Sequence, residues 1–222
     1  MLSWLAAAAV AGAFAVTARW YLGGRHDSLG RPIRFPTVSV VLLVILASVA
    51  AYPGIARHRE EKRLARAASV IAGAPVKVVC QSLSGAFVDA GAEAGYVRWG
   101  ADGVPEHIAH IKWEQCGLLR KYLRSSKRHP SIEQLEAVHV LTHEAVHTSG
   151  VKSESLTECK AVQRDAQMAR LLGASDAEAK ALAWIYWRTI YPQMPDDYRD
   201  AGCAPGGALD EALPTSPWVA GA

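Results

Sequence analysis

Charge is missing from two stretches of this 222-residue chain: neither Met1 to Ala18 nor Thr37 to Ala56 contains Asp, Glu, Lys or Arg. The second, "TVSVVLLVILASVAAYPGIA", has the roughly 20 residues that cross a hydrocarbon core of about 30 Å. Its length and charged flanks favour a membrane span over a buried core helix. The first stretch is shorter and Ala-rich, and Trp20, Tyr21 and Leu22 extend its apolar end as an interfacial anchor. It also lacks a Lys or Arg ahead of the apolar run, which argues against a cleaved signal peptide despite its Ala-x-Ala sequences. The expectation is a transmembrane helical hairpin over residues 1–56.

Two further absences narrow the class. No C-x-x-C spacing occurs among Cys80, Cys116, Cys159 and Cys203, so a cysteine zinc cluster is disfavoured. An even, dispersed set of four fits two disulfides in an oxidising compartment, against the alternative of four buried thiols in a cytosolic domain. An extracytoplasmic domain on a multi-pass cell-membrane protein is therefore expected. Nor is there a basic surface beyond the membrane end. Residues 1–68 hold nine of the 24 Lys/Arg and three of the 21 Asp/Glu, net +6, which leaves fifteen against eighteen, net −3, for the rest. That division suits anionic lipid as a partner and excludes nucleic acid. Arginines flank both sides of the second span in similar number, so the positive-inside rule leaves the orientation open.

Beyond the spans, "ARHREEKRLARAASVIAG" reads as a basic helical linker, residues 57–74, stopped by Gly73 and Pro75. "VKVVCQSL" has strand character, and "GYVRWGADGVPEHIAHIKW" reads as two strands about a Gly-Ala-Asp-Gly turn. "EQCGLLRKYLRS" is a short amphipathic helix. Ser131 and Gln134 form a capping box that opens a helix from Ile132 to about Thr148, with Gly150 as its stop. A second helix is expected from Glu154 to Leu172, capped by Ser153. A third opens at the Ser175/Glu178 box and ends before Pro192. The loop-rich tail should pack through Tyr198, Trp218 and a Cys203 disulfide. The expected class is α+β: a few antiparallel strands and then three helices, residues 75–222.

The first of those helices carries His143-Glu144-Ala145-Val146-His147. Residues four apart share a helix face, so both imidazoles can reach one zinc ion (Zn2+), with Glu144 beside them to take and return the proton of a water. A zinc that keeps a position for water needs a third protein ligand. Glu154 and Glu158 both follow the Gly150 reversal, one turn apart and on one side of the next helix. The alternative is two histidines that merely share a face.

His143, Glu144, His147, Glu158 and Ala161 form H-E-x-x-H followed by E-x-x-A, which resembles the gluzincins. The resemblance spans Ile132 to Leu172, and its short linker looks most like compact members of that group. It implies a zincin-like domain and a zinc metallopeptidase acting on a peptide or protein substrate. The implied roles are His143, His147 and Glu158 as metal ligands, and Glu144 as general base and acid. Glu158 is preferred to Glu154 because Glu154 lies at a helix N-terminus, where a carboxylate is favoured by the dipole alone. The metzincin pattern fails at Ser153, where a third histidine would stand. His139, one turn before His143, is expected to be a satisfied buried histidine or a group supporting a ligand. Asp165 is expected to orient a ligand or to be solvated. By the same resemblance "EHIAHIKW" is the strand edge that would hold a peptide, with His107 and His110 at its surface, and one of Tyr186, Tyr191 and Tyr198 would stabilise the oxyanion. Two other classes compete: a catalytically inactive zincin-fold binding module, and a zinc hydrolase of a non-peptide bond.

Overall fold

Both charge-free stretches are helical. Helix α1 runs Leu2–Leu22 and α2 runs Thr37–Ala72. The computed structural model describes residues 2–23, 25–26, 29–82 and 93–219; Met1 and the end of the expected tail, 220–222, lie outside them. The chain divides into two units, Met1–Arg59 and Glu60–Ala222. In the first, small residues stand where the helices meet: Ala9, Ala47 and Ala50 are buried, and a Cβ on Gly12 would lie 3.6 Å from the Leu43 methyls. Leu42, Ile45 and Val49 point outward and are exposed. Both helices are long and apolar enough to cross a membrane. At the connecting end, the Trp20 indole donates to the Ile33 carbonyl (3.2 Å), and the Arg25 guanidinium sits 5.3 Å from the Trp20 ring centre.

The second unit starts inside α2, at Glu60. The segment read as a linker is helical, but Leu64, Ala67 and Ala68 on it are buried in the main core. Its end is the expected one, at Gly73, whose φ of +69° suits glycine. Strands β1 (Lys77–Cys80), β2 (Gly95–Trp99) and β3 (Pro105–Ile111) form one sheet in the order β1-β3-β2. The hairpin β2–β3 is antiparallel as expected, but β1 runs parallel to β3. The Cys80–Cys116 disulfide is consistent with this direction. Cys80 pairs in register with Ile111, and Cys116 follows five residues later, so the bond pins the C-terminal ends of the two strands together. The sheet order carries a second correction: "EHIAHIKW" is the central strand and cannot be an edge.

Five helices complete the unit: α3 (Trp113–Arg124), α4 (Ile132–Thr148), α5 (Glu154–Val162), α6 (Asp165–Leu171) and α7 (Asp176–Ile185). Both capping boxes form as read, each satisfying two helix-end donors, a cap typically worth about 1 kcal/mol. Helix α4 is the centre of the unit, packed on β2 and β3 and against α3, α5 and α6. Every residue from Leu141 to Thr148 is buried. Around it the core gathers Leu119, Tyr122, Leu135 and Met168, each contributing roughly 1.5–3 kcal/mol by burial.

The single helix expected from Glu154 to Leu172 is two. The break falls at Gln163, where the C-terminal tail docks: its carbonyl accepts from Thr215 Oγ1 (2.8 Å), and its side chain bonds Leu209 O (2.9 Å) and Glu211 N (2.8 Å). A carbonyl turned to the tail no longer serves the helix. A second disulfide, Cys159–Cys203, fixes the tail to α5. After α7 the chain continues in a π turn, Tyr186–Ile190, and short 3-10 turns, Tyr191–Gln193 and Asp196–Tyr198.

Candidate metal centre

Gly150, at φ +100°, ends α4, and Ser153 caps α5 three residues later, so α5 runs back along α4. Residues four apart on each helix then interleave. Along one side the order is His147, Glu154, His143, Glu158, His139, Asp165. Each neighbour is in contact: His147 Nε2 lies 3.3 Å from Glu154 Oε2, which lies 3.1 Å from His143 Nε2. His143 Nδ1 is 3.1 Å from Glu158 Oε2, which is 2.9 Å from His139 Nε2, and His139 Nδ1 donates to Asp165 Oδ2 at 2.8 Å.

At the outer end the two Nε2 atoms are 3.0 Å apart. His147 Nδ1 donates to the Val151 carbonyl at 2.7 Å, and His143 Nδ1 donates to the Glu158 carboxylate. The two Nε2 atoms and Glu154 Oε2 lie 3.0, 3.1 and 3.3 Å from one another. A metal ion here would replace the proton that His143 Nε2 shares with Glu154 Oε2, with each Nδ1 still donating. Tetrahedral zinc with bonds of about 2.0–2.1 Å requires ligand atoms roughly 3.3 Å apart. This group fits such an ion, and each Nδ1 has an acceptor of the kind that the second nitrogen of a metal-ligating histidine needs.

The expectation that Glu158 completes this triangle is not met. Its carboxylate faces Nδ1 of His143, the opposite edge of the ring from Nε2. It is 1 % exposed and fully engaged: His139 and His143 donate to Oε2, and the Tyr186 hydroxyl donates to Oε1 at 2.9 Å. Glu158 does share a possible three-ligand group with His139 and His143, but that group excludes His147. The antiparallel return of α5 explains the exchange. The first residue of α5 lies level with the last turn of α4, whereas a residue one turn deeper lies one turn further back.

Electrostatics follow the same ladder. Burial opposes charging of His143, but hydrogen bonds to Glu154 and Glu158 outweigh it and raise the pKa to about 9. Those from His143 and His147 hold Glu154 at about 2. Burial also opposes ionisation of Glu158, yet His139 and His143 keep its carboxyl well below the usual range. Burial lowers His139, and Asp165 and Glu158 overcome this and lift it to about 10. At His139 and His143 the neighbouring carboxylates favour the cation over the neutral ring.

Glu144 is 5 % exposed, and its Oε2 has no hydrogen-bond partner among the described residues. Burial, opposed by His143 and His147, raises its pKa to about 7. A free, buried carboxylate poised near neutrality is suited to proton transfer. Gly95 makes room for it: a Cβ there would lie 2.8 Å from Glu144 Cγ and 2.9 Å from Oε1. Through that close approach β2, the outer strand of the described sheet, borders a cleft of about 520 Å³ that exposes Glu144 and the triangle. The Trp99 ring meets His147 edge-on at 6.3 Å.

Of the three tyrosines, Tyr186 and Tyr198 line the cleft, and the Tyr198 ring lies 5.9 Å from that of His143. Burial, with Glu154 next, pushes its hydroxyl up to about 12, so it is a proton donor at neutral pH. Tyr186 stacks on His139 at 3.8 Å and serves Glu158 instead, and Tyr191 bonds the Asp200 backbone. His107 is exposed as expected, whereas His110 is half-buried and stacked on Tyr96 at 4.7 Å. Gly95 and Trp99 carried no sequence signal for a site. Glu154 carried one: the short reversal after Gly150 brings the first turn of the next helix back to His147.

No family model matches this chain, and no curated protein or solved structure matches it. The reading of the site therefore rests on its geometry and on the motif.

Proposed function

We propose that the second unit is a zinc metallopeptidase anchored to the cell membrane by the hairpin, with His143, His147 and Glu154 as metal ligands and Glu144 as general base and acid. The observation that carries this reading is the convergence of two Nε2 atoms and a carboxylate oxygen within 3.3 Å of one another, beside a Glu144 Oε2 that has no partner among the described residues. Three protein ligands leave one tetrahedral position open, as catalytic zinc requires. The bound ion would supply Lewis acidity toward a water and a carbonyl.

The remaining chemistry belongs to the chain. Glu144 takes the proton of the attacking water as its oxygen bonds to the carbonyl carbon. It then delivers that proton to the amide nitrogen as the C–N bond breaks, which regenerates the carboxylate. Tyr198 donates its phenolic hydrogen toward the developing oxyanion. The outer edge of β2 offers backbone donors and acceptors to an extended peptide, and Gly95 sets that edge against Glu144. Two disulfides favour an oxidising, extracytoplasmic location for this unit, and the arginines beside the spans favour anionic lipid.

The test uses the full chain in detergent micelles, loaded with zinc and given an unfolded polypeptide. Glu144→Gln should keep its zinc and lose about 10²–10⁴-fold in rate. Zinc-loaded wild type that cleaves no polypeptide would remove the peptidase reading. An unchanged rate in Glu144→Gln would remove the assigned base.

A further inference from the structure

Glu158 is a second carboxylate within reach of the same histidine, on the same helix as the proposed ligand Glu154. Two such groups create a choice that the protein must resolve, because a fourth protein ligand would fill the position that catalysis leaves open. The inner half of the ladder resolves it. Glu158 Oε2 accepts from His139 Nε2 at 2.9 Å and His143 Nδ1 at 3.1 Å, while Oε1 accepts from Tyr186 at 2.9 Å. Swinging Glu158 to the Nε2 side of His143 would break all three bonds.

His139 is in turn held from behind. Its Nδ1 donates to Asp165 Oδ2 at 2.8 Å, and its ring lies flat on Tyr186, 3.8 Å between centres at 13°. Since a carboxylate only accepts, both ring nitrogens of His139 are donors and the ring is oriented along one line. His139, Glu158 and Asp165 are each no more than 3 % exposed, so water offers no substitute partner.

We propose that His139 and Asp165 are positioning residues for the metal centre. Asp165 fixes the His139 ring, and His139 clamps Glu158 to the Nδ1 edge of His143, where it orients a ligand rather than becoming one. The assignment rests on the metal reading above. It explains why the H-E-x-x-H helix carries a third histidine one turn earlier, too far along to share the ion with His147.

The probes are Zn2+ itself, in competition with a chromophoric chelator, and Co2+, whose visible absorption reports coordination number and geometry. The protein is the full chain in detergent micelles. Asp165→Asn keeps the shape and removes the charge; His139→Gln removes the two-ended donor. Each should weaken zinc by roughly 10–100-fold and alter the cobalt spectrum, as loss of an outer partner of a metal-binding histidine does. In a Glu158→Gln background both effects should largely vanish, because His139 and Asp165 act through that carboxylate. A merely structural role predicts additive losses and an unaltered cobalt spectrum. Wild-type affinity and spectrum in both variants, or full additivity with Glu158→Gln, would overturn the assignment while leaving the metal centre in place. A wild type that binds neither ion would overturn the metal centre and this assignment together.

Discussion

The two ends of the His–carboxylate ladder use the same residue types and solve opposite problems. At the buried end, Asp165, His139 and Glu158 alternate acceptor, donor and acceptor, although Asp165 Oδ1 has no partner among the described residues. At the cleft end, two Nε2 atoms and Glu154 Oε2 converge within 3.3 Å, and Glu154 has 41 % of its side chain exposed. At the cleft end the two imidazole nitrogens also meet each other and line the cleft, which is why the proposed cation site is placed there.

The comparison sharpens first at Tyr198, which belongs to the cleft end alone. Tyr198→Phe should lower the rate by about 10²–10³-fold with zinc affinity unchanged, the signature of a lost oxyanion donor. Loss of zinc in that variant would show that the two ends are not separable as described. Steady-state kinetics and a metal titration decide it.

The next effect is on stability. The Cys159–Cys203 bond closes a long loop and ties α5, immediately beside Glu158, to the tail. Replacing both cysteines with Ala should cost about 2–4 kcal/mol. If the buried end depends on this tie, urea unfolding should show it as a lower midpoint, with a steeper slope because the unfolded chain is no longer cross-linked. An unchanged midpoint would mean that the tail docks without the bond.

The smallest effect lies on the outer face of α5, where Glu211 of the tail pairs with Lys160 and Arg164. Burial opposes its ionisation, but the two cations outweigh this and hold the carboxyl below its ordinary value. The pairing is therefore complete above the unfolded carboxylate pKa of about 4.3 and is lost as pH falls through the lower folded value. Being partly exposed, it should contribute no more than about 1 kcal/mol. Thermal unfolding of Glu211→Gln should differ from wild type at pH 7 and converge with it in acid. A difference that grows in acid would contradict the pairing.

Local chemistry was legible in the sequence and long-range partnership was not. The two long apolar helices followed from missing charge, the caps of α4 and α7 from Ser131/Gln134 and Ser175/Glu178, and the histidine pair from its spacing. The break at Gln163 depends on Thr215 and Leu209, some fifty residues away, so helical periodicity gave no warning. The central position of β3 depends on β1 joining its far side, which no hairpin pattern encodes. The choice between Glu154 and Glu158 depended on the level at which two antiparallel helices meet. The helix-dipole argument against Glu154 was sound for an isolated helix, but two imidazoles at the end of α4 give that carboxylate a specific partner.

The most direct measurement is zinc content after dialysis against a competing chelator, comparing wild type, Glu154→Gln and Glu158→Gln. The account predicts a zinc-loaded wild type, with Glu158→Gln weakened roughly 10–100-fold as for a supporting group and Glu154→Gln weakened at least about tenfold more. Full zinc in Glu154→Gln beside an empty Glu158→Gln would contradict it and return the ligand role to Glu158.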